Sequence, residues 1–218
     1  MDPKLNKWLT WLKIIEGEVS GLIIGKYIFH EVQTMINNNP QLHKPSSFYD
    51  YLSTTYISHT IIGLRRQLKC NKESVSVARL FSELIESPKT FTRSYYVSLY
   101  RESRMRKYAD QDFERFASPG ATHIDSAFII SDLAQLQEIS CRCEDFADKR
   151  IAHRDTREPS GVPTFNEVDA CIDFLEKLYV KYYSLFHATS MESLLPVWQY
   201  DWKAVFRTAW ITDDERTT

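Results

Sequence analysis

Glycine is scarce, six residues in 218, and the apolar residues recur at every third or fourth position rather than every second, which leaves little room for strands. Long apolar runs are missing too. The most apolar early stretch, Val19 to Ile24, falls far short of the roughly 20 residues a membrane span needs. The N-terminus, MDPKLNKWLTWLK, has no apolar stretch leading to a small-residue cleavage site and does not read as a signal peptide. Neither sign of charge dominates: Lys and Arg number 27 against 29 Asp and Glu, a formal net charge of -2. With no global basic field, any contact with nucleic acid must be local. The four cysteines, Cys70, Cys141, Cys143 and Cys171, have neither the spacing of a small disulfide framework nor the paired CxxC of a zinc site. Cys141 and Cys143, two apart on a helical pattern, point away from each other. The expectation is a cytoplasmic protein with reduced thiols, no membrane segment, no metal and no other cofactor.

What is present is a chain of helical patterns, which sets the fold class as all-α. One helical region runs from about Lys4 to Asn38, with Gly17 and Gly21 as candidate interruptions, and ends at the polar stretch NNNPQLHKPSS. A second, from Ser47 to about Lys69 with Ser46 or Ser47 as N-cap, carries Phe48, Leu52, Tyr56, His59, Leu64 and Leu68 on one face. Shorter pieces at about Val75 to Glu86 and Thr90 to Tyr100 precede the run RESRMRKYADQDFERF, which reads as a solvated helix face. A long helix then spans about Ile124 to His153, with Ile129, Leu133, Leu136, Ile139, Cys143 and Phe146 as its apolar stripe. After the loop RDTREPSGVP, Thr164 and Glu167 form a capping box opening a further helix, whose stripe is Val168, Cys171, Ile172, Leu175, Tyr179, Tyr182 and Phe186. The two stripes, joined by one loop, predict an antiparallel hairpin within a helical bundle. Beyond Pro196 an aromatic tail, VWQYDWKAVFRTAW, must pack either on its own bundle or across a subunit interface.

The segment ADKRIAHRD, Ala147 to Asp155, holds the residues best suited to chemistry. At about 100 degrees per residue Arg150 and His153 lie one turn apart on neighbouring faces, bordering the Cys143 and Phe146 edge of the stripe. An imidazole there can gain or lose a proton near neutral pH, and a guanidinium can hold a phosphate through paired hydrogen bonds. Arg150 and Arg154 also suit the negative end of a helix dipole, and His153 could simply pair with Asp155. Arg65 and Arg66 on the second helix are further cations within reach of RNA, though surface solvation explains them equally well. His30, His59 and His187 read as core or edge histidines, and Tyr179, Tyr182, Tyr183 and Phe186 as core.

The long helix ending in DKRIAHRD, the Pro/Gly loop and the aromatic helix after it resemble the HEPN superfamily, more narrowly its branch linked to phage abortive infection. The upstream segment SHTIIGLRRQLKCNKESVSVARLFSEL, Ser58 to Leu84, resembles that branch as well. The resemblance implies one helical domain over 1–218, with a HEPN-like core at about 47–187, additional N-terminal helices in 1–46 and the tail in 188–218. It implies a metal-independent ribonuclease of toxin or phage-defence type, cleaving RNA at a composite site across a homodimer, with a nucleotidyltransferase-like antitoxin as a further partner. In that mechanism His153 moves protons at the ribose 2'-hydroxyl or the leaving oxygen, and an Arg upstream stabilises charge on the phosphate. This chain departs from the motif there: the positions where that Arg falls, Phe146, Ala147 and Asp148, hold none. Arg150 is the substitute phosphate binder, with Asp148, Lys149, Arg154 and Asp155 supporting. Arg142 shares the azimuth of His153 but lies about 16 Å away along the helix. The alternative is a non-catalytic interaction module that binds a protein partner or a nucleotide.

Overall fold

The computed structural model describes residues 2–101, 104–152 and 155–210. Seven α-helices account for most of it: α1 (Pro3–Asn38), α2 (Ser47–Leu68), α3 (Val77–Glu86), α4 (Arg93–Leu99), α5 (Ala109–Phe113), α6 (Ser126–Phe146) and α7 (Phe165–His187). Among the described residues there is no strand, only an isolated bridge between Thr92 and His123. No helix among them is long and apolar enough to cross a membrane.

Helix α1 is uninterrupted at Gly17 and Gly21. Its 36 residues make a rod about 54 Å long, held by a continuous stripe of Leu5, Trp8, Leu12, Ile15, Val19 and Leu22, all buried. The stripe packs on α7, α2 and α3, and this tertiary support outweighs the weak helix propensity of the two glycines. Trp8 donates its indole N–H to the Glu83 carboxylate of α3 at 2.8 Å. Lys7 at 2.5 Å and Arg79 at 3.0 Å neutralise the same carboxylate.

Helices α6 and α7 form the antiparallel hairpin: Lys181 and Tyr182 bond Asp132 at 2.6 and 2.8 Å near one end, and Arg142 pairs with Glu167 near the other. Thr164 and Glu167 make the full capping box of α7, and every apolar residue of its expected stripe is buried. In α6 the stripe differs. Ile139 is exposed and Leu133 half-buried, while Ile129, Leu136, Ser140, Cys143 and Ala147 are buried. Small residues towards the C-terminal end let α7 approach closely, so that the Cys171 thiol donates to the Ile139 carbonyl and lies 3.7 Å from Cys143 Sγ. Cys141 is exposed, on the other side of the helix.

In α2 only the second half is well covered. Tyr56, Ile61, Leu64 and Leu68 are buried, whereas Phe48 and His59 are exposed. The run after α4 is more than a solvated face, because Ala109, Phe113, Phe116 and Ala117 all enter the core. The aromatic tail docks on its own bundle: Trp198 stacks on Tyr27 at 4.9 Å, Trp202 meets the same ring edge-on at 6.1 Å, and Lys203 pairs with Glu31.

Candidate functional site

The α-helical hydrogen bonding of α6 stops at Phe146, and residues Ala147–Ile151 form a π turn. The Ala152 amide bonds back to the Ala147 carbonyl at 2.8 Å and the Asp155 amide to the Lys149 carbonyl at 3.1 Å. A π turn advances fewer degrees per residue than an α turn and is frequent at functional sites. The azimuths expected for a continuous α-helix to His153 therefore fail beyond Phe146. His153 and Arg154 themselves lie outside the described residues.

Helix α2 runs antiparallel to α6 along this turn. Arg65 pairs with Asp148, and Lys69 reaches Glu144 at 3.0 Å and Asp148 at 3.6 Å. Arg66 faces away and pairs with Glu18 of α1 at 2.8 Å. Arg142 is equally remote in its bonding: it pairs with Glu167 and lies 3.5 Å from the Val162 carbonyl, clamping the start of α7. Of the cations expected near RNA, only Arg65 joins the turn.

The loop after the turn is folded back by two side chains. Lys149 bonds Asp145 at 2.6 Å and the Glu158 carbonyl at 3.2 Å. Arg150 does more. Its Nη1 donates to the carbonyls of Lys149, Asp155 and Arg157 at 3.1, 3.0 and 3.2 Å, and its Nη2 pairs with the Glu158 carboxylate. The guanidinium thus spans the chain on both sides of position 153. Asp155 pairs with Arg157 at 2.6 Å, and the Asp145 carboxylate accepts the Ser160 amide at 2.6 Å.

These acids are tuned by their partners. The Lys149 ammonium and the Ser160 amide hold the Asp145 carboxyl down to about 2. Desolvation pushes Asp148 up, but Arg65 and Lys69 outweigh it and leave the group below the usual carboxylate range. The Arg157 side chain and amide hold Asp155 well below that range. All three are ionised at neutral pH, so the cations around the turn face full negative charges. An incoming phosphate must displace one of these carboxylates. Glu158, whose side chain is 84% exposed, is the easiest to move.

Beside the turn lies an open cleft of about 370 Å³, walled by Ser53, Thr54, Ile57 and Ser58 of α2, by Phe146, Arg150 and Ile151, and by Phe165 at the start of α7. Sequence reasoning missed the α2 hydroxyls and Phe165. The one available signal was that Phe165 is aromatic yet falls before the buried stripe of α7. Glu158 and Lys69 carried no signal at all, because only the folded loop and the α2 to α6 packing bring them to the turn. Among the described residues no group of three or more His, Cys, Asp and Glu converges as metal ligands would.

The all-helical bundle, with a loop-closed turn at the end of its penultimate long helix, is of the HEPN type. The chain belongs to the AbiU2 family of the HEPN superfamily, whose family model (HEPN_AbiU2) matches residues 6–205. No curated protein and no solved structure matches it.

Proposed function

We propose that the chain is a metal-independent endoribonuclease of the toxin or phage-defence type, acting as a homodimer with His153 as general acid/base and Arg150 as phosphate binder. One observation carries this reading. The Arg150 guanidinium is fixed by three backbone carbonyls on either side of position 153, and its outer edge holds a largely exposed carboxylate. A carboxylate and a phosphate present the same paired oxygens to such a fork. Glu158 therefore stands in, on this reading, for a scissile phosphate, five positions along the chain from His153. With the phosphate there, His153 takes the 2'-hydroxyl proton or protonates the leaving oxygen, and the preorganised guanidinium offsets the charge that grows on the phosphoryl oxygens. Asp148, Lys149, Arg154 and Asp155 support the turn, and Arg65 adds positive charge to its flank.

A second reading has its own observation. Arg65, Lys69, Lys149 and Arg150 each already have a carboxylate partner, as suits an interaction module that binds a protein, such as a nucleotidyltransferase-like antitoxin, or a nucleotide.

Expression of the wild type in a bacterial host should arrest growth, and His153→Ala should relieve the arrest. Purified wild type should cleave single-stranded RNA in the presence of EDTA, and His153→Ala should be slower by about a hundredfold or more. A wild type that cleaves no RNA offered, or a His153→Ala variant as toxic as the parent, rules out the enzyme and leaves the interaction module.

A further inference from the structure

We infer that the cleft between α2, the π turn and the start of α7 is a nucleobase subsite, taking one base of single-stranded RNA beside the phosphate held at Arg150. The inference rests on the ribonuclease reading for the identity of the ligand but on separate residues for its chemistry.

The volume, about 370 Å³, lies at the low end of ligand pockets, and suits one nucleoside rather than a helix or a folded partner. Phe165 supplies the aromatic surface. It is 41% exposed, yet its ring is fixed nearly parallel to those of Phe29 and Tyr56, at interplanar angles of 22° and 15°. Those two rings in turn lie at 8° to each other. A side chain whose ring is held from behind and open in front is a preorganised stacking platform, and every base has a face to place on it. Ile57, Phe146 and Ile151 give the cleft its apolar floor.

The polar wall fits the same ligand. Ser53, Thr54 and Ser58 line it, and among the described residues none of their hydroxyls has a hydrogen-bond partner. A hydroxyl donates or accepts as required, so the wall can meet the edge of any base and should discriminate weakly among them. Among the described residues no acidic side chain lines the cleft, and Arg150 is the one charged residue that does. A neutral ring joined to an anion matches that distribution. An apolar peptide side chain would leave the three hydroxyls unanswered.

The test uses the full-length His153→Ala protein, so that RNA stays intact, and a fluorescein-labelled single-stranded oligoribonucleotide read by anisotropy. A matched oligomer with abasic riboses is the second probe. Phe165→Leu, which keeps apolar volume and loses the ring face, should weaken binding of the base-bearing RNA about tenfold and leave the abasic oligomer unchanged. Phe165→Trp should bind as well as the parent or better, with its added indole fluorescence quenched by the base, which shows that α7 still forms. Cleavage by otherwise wild-type protein is followed in parallel. If RNA is cut and Phe165→Leu changes neither affinity nor rate, the subsite is wrong and the ribonuclease reading stands. If binding depends on Phe165 but nothing is cut, the subsite stands and the ribonuclease reading fails. If neither oligomer binds at micromolar protein and nothing is cut, both are overturned.

Discussion

Arg150 is asked to do two things with one guanidinium: tie down the loop that follows α6, and present an anion fork to the substrate. The first uses Nη1 and three carbonyls, the second the Nη2 edge now taken by Glu158. Arg150→Lys keeps the charge but cannot span both sets of partners, so cleavage should drop about a hundredfold while the helix content of the circular dichroism spectrum is retained. Arg150→Ala should abolish cleavage, and Arg142→Ala, occupied with Glu167 at the start of α7, should change it little. Glu158→Gln removes the competitor for the fork and should lower KM for single-stranded RNA several-fold. Steady-state kinetics in EDTA checks all four, and an unchanged rate for Arg150→Ala sinks the phosphate-binder role. Arg150 could be picked out of the sequence because a basic residue beside a His at a helix end is a chemical pattern. Its carbonyl partners could not, since residues 155–158 form a loop with no period to read.

Among the helices, boundaries followed local chemistry and failed where tertiary contact decides. The Ser46–Ser47 pair, of which Ser46 is the N-cap, and the Thr164–Glu167 capping box mark the starts of α2 and α7, because a cap is written in adjacent residues. The π turn at Ala147–Ile151 was not legible, since an α pattern and a π pattern differ there only in which carbonyl each amide reaches. The pattern offers Ile139 rather than Ser140, because periodicity is read from large apolar residues and a small buried one at a close helix crossing looks polar. The same limit hid the joint between α1 and α3. Glu83 is buried and accepts from Trp8, Lys7 and Arg79, so Glu83→Ala leaves the part-buried Arg79 and the buried Trp8 indole N–H without this partner and should cost about 2 kcal/mol. Desolvation pushes the Glu83 carboxyl up, but Lys7, Trp8 and Arg79 outweigh it and its acidity in the fold is greater than usual. A depressed carboxylate stabilises the fold above its unfolded value, about 4.3, and that contribution is lost as pH falls through the lower folded value. Thermal melts followed from neutral pH down to about pH 3 should show wild-type stability falling below about pH 4, and a shallower fall for Glu83→Gln. Equal slopes would mean that the acid response comes from elsewhere.

Among the described residues, most of the buried apolar side chains form one cluster that runs from Leu5 of α1 to Leu194 beyond α7. Helix α1 contributes Leu5, Trp8, Leu12, Ile15, Val19, Leu22 and Ile23 to that cluster. The composite site of the proposed enzyme requires two copies, and light scattering at micromolar protein should give the mass of a dimer; a strictly monomeric mass would remove that mechanism. Phe128, Ile130 and Ile139 are exposed apolar residues of α6, the helix that leads into the π turn. The docked tail has a different consequence. The five tryptophans fall into two groups: Trp8 and Trp11 in the bundle, and Trp198, Trp202 and Trp210 in the tail. Trp8 is fully enclosed, whereas Trp210 is 64% exposed and Trp198 and Trp202 rest on the single ring of Tyr27. The protein thus carries its own pair of optical gauges: a soluble quencher reaches the tail indoles first, so detachment of the tail can be watched separately from melting of the bundle, without attaching a dye.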